Sequence, residues 1–236
     1  MGSQVSGNGN CIISVNKKNS FSCDFSNSVV CQCKSDLDLE FSKASFSLDS
    51  FQSYIIILDK CSESSNIPYK KIASLMVLHR NRWFKSPYYS PVPSLPDKIR
   101  LFEINSSDLE DLATVIFSAF KYDKQYLKES IETYKTGVQS SYVSFYGLKV
   151  DDKLVSCLLV HCDESRQTYG IELVSTREEY QHQGYSKILL RYTINEMFNS
   201  KAEIIWLFAI KNSIAEALYS KIGFQSIAKI LISSNA

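Results

Sequence analysis

The sequence lacks an imbalance of charge: 26 lysines and arginines face 25 acidic residues, leaving +1 over 236 residues. That excludes the basic footprint on which nucleic-acid binders depend. Long apolar runs are missing too. Runs such as Tyr54-Ile55-Ile56-Ile57-Leu58 suit a strand and are far too short for a bilayer span. No basic-then-apolar segment opens the chain, which predicts an intracellular, cytoplasmic protein. Cys31-Gln32-Cys33 has no second Cys or His pair at ligand spacing, so no metal site is expected; on a strand both thiols would share one apolar face. Met1-Gly2-Ser3-Gln4-Val5-Ser6 fits the myristoylation pattern at Gly2, but such motifs recur by chance, and a disordered polar start is the plainer expectation.

Proline is scarce except in one place. Four of the five prolines fall within residues 86–96, an extended stretch that reads as a linker or strap. It divides the chain into an accessory region, 1–96, and a second domain, 97–236. The accessory region is rich in Ser and Asn, with strands expected over 11–15, 29–33, 41–48, 54–58 and 72–79. No chemistry is legible there. His79, Arg80, Arg82 and Trp83 read as a solvated strand end.

Beyond the linker the patterns sharpen. A strand is expected over 99–104. Ser107 to Glu110 has the form of a capping box, followed by Leu109, Leu112, Ile116 and Phe120 at helical spacing. A second helix is expected over 124–136, with Gly137 as its stop. Strands over 142–150 and 154–162 flank Asp151-Asp152-Lys153 as a hairpin, and 168–176 is a further strand. The helix after Gly184 should carry Tyr185, Ile188, Leu189 and Tyr192 on one stripe. Residues 202–210 are almost wholly apolar, hence a strand covered on both faces. Ser213 to Glu216 is a second capping box, and a strand over 224–232 closes the chain. Strands and helices in this order predict a mixed α/β fold, with a sheet flanked by helices.

The chemistry lies in the turn before the third of these helices. The first amides of a helix lack internal partners and sit at the positive end of its dipole, and glycine allows close approach to the backbone. Gln181-His182-Gln183-Gly184-Tyr185-Ser186 therefore has the makings of a phosphate site. Together with Asn212, Ala217-Leu218-Tyr219 and Lys221-Ile222-Gly223-Phe224, it resembles motifs A and B of the GCN5-related N-acetyltransferases. The resemblance spans about residues 97–236 and implies a mainly antiparallel central sheet. The first 96 residues would be a β-rich or degenerate GNAT-like accessory region.

By that resemblance acetyl-CoA is the co-substrate, with no metal. Its pyrophosphate would meet the amides of Gln181, His182, Gln183, Gly184, Tyr185, Ser186 and Lys187. Its pantetheine would run beside Leu173, Val174 and Thr176, and Asn212 would touch the same arm. Asn212 could equally stand just outside the Ser213 cap. Ser186 replaces the family's last Gly or Ala, and His182-Gln183 replaces a common cationic pair. Tyr219 matches the tyrosine that protonates the leaving thiolate; the alternative is a partly buried aromatic. Glu172 lies where relatives place a general base, its neighbours Ile171 and Leu173 pointing to the other face. A solvated strand carboxylate explains it as well. His161 and His182 are alternative bases by chemistry, with His161 more readily a core or edge residue. Glu178 and Glu179 fit helix-dipole complementarity. The partner would be a small-molecule or protein amine. Competing readings are a catalytically silent coenzyme A sensor or scaffold, and transfer of a longer acyl group.

Overall fold

The computed structural model describes residues 4–8, 11–15, 28–31, 52–57, 71–87, 89 and 95–234. In chain order the elements open with β1 (Gln4–Asn8), β2 (Cys11–Val15), β3 (Ser28–Cys31), β4 (Gln52–Ile57), β5 (Lys71–His79) and the single turn α1 (Arg80–Trp83). Next come β6 (Ile99–Glu103), α2 (Leu109–Phe120), α3 (Leu127–Val138), β7 (Val143–Val150), β8 (Lys153–Asp163) and β9 (Thr168–Thr176). The chain ends with α4 (Tyr185–Ser200), β10 (Ile204–Ile210), α5 (Ile214–Ile222) and β11 (Gln225–Ser234). They form two compact units, Met1–Met76 with Phe208–Ala236, and Val77–Leu207. The fold is mixed α/β, with mainly antiparallel strands flanked by helices.

In the first unit the strand order is β1-β2-β3-β4-β11. Of the pairings β1–β2, β2–β3, β3–β4 and β4–β11, only β3–β4 is parallel. Gln4–Asn8 pairs with β2 where the polar composition predicts a disordered start, because alternate ladder bonds need no apolar side chains. Gly2, Cys33 and the strand expected over 41–48 lie outside the described residues. β11 pairs antiparallel with β4 from Lys229↔Ile57 to Ser234↔Gln52, so the last strand closes onto the first third of the chain.

In the second unit the order is β10-β9-β8-β7-β6, antiparallel except for β9 with β10. The β7–β8 turn is Asp151-Asp152, both at positive φ (48° and 64°), the conformation of a two-residue hairpin. Phe145, Leu154, Cys157 and Leu159 pack under α2 and α3 with Leu109, Leu112, Ala113, Val115, Ile116 and Tyr134. Tyr146, next to Phe145, meets Tyr192 of α4 at 6.3 Å, so alternate side chains of β7 serve opposite faces.

Several local expectations are corrected. Asn105, not Ser107, caps the entry to α2: its Oδ1 accepts from the Ser107 amide at 2.9 Å and the Ser107 hydroxyl at 2.7 Å. A short side chain folding onto the amide two residues on makes a 3-10 turn first. The buried stripe of α2 continues through Phe117; Phe120 is exposed and stacks on Tyr122 at 5.3 Å. Gly137 lies inside α3, where an added Cβ would come 3.3 Å from Phe145, so it serves close packing instead of a stop. The buried stripe of α4 is Leu189, Leu190, Thr193, Ile194, Met197 and Phe198, with Tyr185, Ile188 and Tyr192 at its half-buried margin. Burial alternates along β10: Ile205, Leu207 and Ala209 are buried, Ile204, Trp206 and Phe208 half-buried. One face of that strand is thus covered less than its apolar run predicts. Trp83 is fully buried, its indole N–H donating to Asn195 Oδ1 at 2.8 Å, so the basic cluster at 79–83 surrounds a core anchor.

Among the described residues no helix is long and apolar enough to cross a membrane, and no group of His, Cys, Asp and Glu could hold a metal ion. Cys157 is fully buried and burial pushes its thiol up, which leaves it inert.

Candidate functional site

The second unit contains a fork. β10 pairs with β9 over four residues only, from Ile204↔Thr168 to Leu207↔Ile171, while β9 runs on to Thr176. Residues 172–176 therefore carry a backbone edge with no pairing to β10. On the other side of β9 the register with β8 shifts between Cys157↔Ser175 and Leu159↔Glu172. Two residues, Leu173 and Val174, stand opposite Leu158 alone, a β-bulge. Leu173 takes φ 50°, and the Ser175 hydroxyl donates to its carbonyl at 2.8 Å. The bulge also breaks the expected alternation. Leu173 packs against the cluster containing Leu159, the residue opposite Glu172, so Leu173 does not point away from Glu172 as predicted.

Past Thr176 the chain makes the glycine turn. A 3-10 turn, Glu178–Tyr180, leads to an extended Gln181, then His182 at φ 61° and Gly184 at φ 86° as the N-cap of α4. The first helical bond runs from Ile188 N to Gly184 O, so the amides of Tyr185, Ser186 and Lys187 precede the ladder. No side chain caps this end, and an added Cβ at Gly184 would meet no atom within 4 Å. Residues 181–184 are exposed and 185–187 half-buried. Open space at Gly184 and an uncapped helix end are the features that a phosphate anion requires of a backbone.

The turn is fastened by its own side chains. Gln181 donates to the Thr176 carbonyl at 3.1 Å and Gln183 to the Glu179 carbonyl at 3.1 Å. Arg177, which no sequence motif marks, is a further anchor: its side chain is 13% exposed, its Nε donates to Leu154 O at 2.7 Å, and it lies 3.6 Å from Asp111. Glu178 and Glu179 pair with Lys121 and Lys153, so their partners are lysines of α2's end and the hairpin. These exposed pairs contribute little to stability.

At the mouth of the fork stands Glu172, its side chain 21% exposed. Its Oε2 lies 3.2 Å from Nε2 of His161, which is 42% exposed and stacks on Trp206 (6.2 Å, 8° between planes). Two of the candidate bases are thus one pair. The lone glycine inside β9 was the available signal for this cluster, since glycine in a strand often marks close approach. A Cβ on Gly170 would lie 2.2 Å from Trp206 Cζ2.

The first unit holds the remaining candidates. Asn212 is exposed at φ 62°, a conformation that Asn tolerates well, directly before the Ser213 cap. Ser213 Oγ accepts from Glu216 N at 3.1 Å, and Glu216 returns to the Asn212 amide at 2.6 Å, one residue earlier than a capping box requires. Tyr219 is 6% exposed and edge-on to Phe224 at 6.1 Å. The amides of Gly223 and Phe224 both donate to the Tyr219 carbonyl, closing α5 over a glycine at φ 122°. Burial pushes its phenol well above the ordinary tyrosine range.

Residues 106–224 match the model of the acetyltransferase (GNAT) family. A GCN5-related N-acetyltransferase from Kribbella flavida has a similar structure, with TM-score 0.68 and 11% identity over 100% of this chain and 90% of that one. A functionally unknown conserved protein from Staphylococcus epidermidis gives 0.68 and 15% over 100% and 95%. A tandem GNAT protein from the clavulanic acid biosynthesis pathway gives 0.62 and 7% over 94% and 77%. At these identities the likeness is one of fold. No curated protein matches the chain.

Proposed function

This chain belongs to the acetyltransferase (GNAT) family, and from that membership we propose that it transfers an acetyl group from acetyl-CoA to a primary amine. The fork between β9 and β10, opening beside an uncapped glycine turn, is the observation that carries the reading. Backbone amides from Gln181, His182, Gln183, Gly184, Tyr185, Ser186 and Lys187 would hold the pyrophosphate. Ser186 and the His182-Gln183 pair depart from the family pattern, yet most of this binding comes from backbone groups. The unpaired edge at Leu173, Val174 and Thr176 suits an extended, amide-bearing arm, and Asn212 would meet the same arm. The bound thioester supplies the acyl carbonyl.

The residues of the chain then manage protons. An amine attacks only when neutral, so Glu172 takes one proton from the acceptor's ammonium, its carboxylate becoming a carboxylic acid. The nitrogen then bonds the acyl carbon as the carbon–sulfur bond breaks; Tyr219 would give its phenolic proton to the departing sulfur and regain the second proton shed by the nitrogen. Purified protein should release thiol from acetyl-CoA with at least one member of an amine panel. Failure to bind acetyl-CoA sinks the reading; binding without turnover on any amine points to a sensor or scaffold instead.

Gly184→Ala tests the turn. No atom blocks the methyl group, so the cost is that of forcing φ 86° on alanine, about 1–2 kcal/mol. Relief of that strain reshapes the turn. Calorimetry should show weaker acetyl-CoA binding, with only a modest fall in thermal stability.

A further inference from the structure

We propose that His161 positions Glu172 for proton transfer, and that Trp206, lying across Gly170, in turn positions His161. The inference rests on the acyl-transfer reading above. His161 on β8 and Trp206 on β10 both stand directly opposite Gly170 on β9, so the three occupy one row on one face of the sheet. A side chain at 170 would separate the two rings. Its absence lets the indole lie over the strand, with the imidazole nearly parallel to it at 6.2 Å. The stack limits rotation of the imidazole about its side-chain bonds. Its Nε2 then points at Glu172 Oε2, 3.2 Å away.

A carboxylate only accepts hydrogen bonds, so the ring nitrogen facing it carries the hydrogen. That bond fixes one oxygen of Glu172 and leaves the other for the acceptor. Glu172 is also the first residue past the last β9–β10 pair, Ile171↔Leu207, which puts its carboxylate where the fork opens. The arrangement serves orientation. One proton moves, from the ammonium to the unpaired oxygen of Glu172, and His161 keeps its own.

Steady-state kinetics on His161→Ala, His161→Gln and Trp206→Phe test this, with nuclear magnetic resonance as a second readout. His161→Ala should lower kcat about 100-fold, the cost of a misplaced reacting group, with KM for acetyl-CoA unchanged. His161→Gln should restore most of that loss, because its amide N–H reaches the same oxygen. Trp206→Phe should give a smaller loss in the same direction. In the unliganded protein, an exchange-protected imidazole N–H resonance should be present in the wild type and absent in Glu172→Ala. Wild-type kcat in His161→Ala overturns the proposal, as does His161→Gln no faster than His161→Ala. A resonance unaffected by Glu172→Ala overturns the pairing itself. A wild type that turns over no amine, with the resonance behaving as expected, removes the transfer reading and the positioning role together while the pair stands.

Discussion

Tyr219→Phe is expected to lower kcat about 100-fold or more, the usual scale of a lost general acid, while acetyl-CoA binding stays unchanged. The substitution removes one oxygen from a side chain that is 6% exposed and edge-on to Phe224, so the packing of α5 survives. What disappears is the proton for the sulfur. Burial raises the phenol above its ordinary value, so the folded protein keeps that proton throughout the neutral and mildly alkaline range. The sign for stability follows. A raised pKa costs nothing below the unfolded value of about 10 and destabilises the fold above it, where the unfolded chain sheds the proton. Rate lost to Tyr219 ionisation should therefore be absent below about pH 10. Single-turnover and steady-state kinetics, beside calorimetric titration with acetyl-CoA, check the prediction. Unchanged turnover would remove Tyr219 from the chemistry and leave it a packing residue.

Trp83→Ala carries the largest expected loss of stability, about 3–5 kcal/mol. The indole is fully buried, edge-on to Tyr89 at 6.3 Å, and donates to Asn195 of α4 at 2.8 Å. Truncation leaves a cavity and takes away the donor that satisfies a half-buried amide oxygen. Trp83→Phe fills most of the space but still lacks the N–H, so it should fall between wild type and alanine. Urea denaturation should show a lower midpoint for both with an unchanged slope. Because α4 begins at the glycine turn, acetyl-CoA affinity of the folded variants reports whether this anchor also steadies the turn.

Most of the second unit is legible in residue types and their spacing. Thr168–Thr176 has the predicted bounds; a hairpin turns at Asp151-Asp152 within the expected Asp151-Asp152-Lys153, and α4 starts at Gly184, because Asp tolerates positive φ and glycine adopts it without strain. Finer features were less legible where two local rules competed. Ser107 and Asn105 can both cap a helix, and the Asn105 oxygen takes both the Ser107 amide and the Ser107 hydroxyl. Gly137 fits a helix stop by composition; the approach of Phe145 gives it a different task. The bulge at Leu173 left no mark in the alternation of β9, because leucine is compatible with either face.

Legible from residue types alone are the succession of strands and helices over 99–234, the glycine turn at the head of α4, and side chains whose chemistry can move protons. Those follow from spacing, capping and side-chain chemistry, all local properties. Contacts between distant segments set where β10 leaves β9 after Ile171, the pairing of β11 with β4, and the cluster of Glu172, His161 and Trp206 across a missing side chain. These depend on strand register. A shift of one residue in register sends every side chain of a strand to the other face, and register is set by packing between segments far apart in the chain.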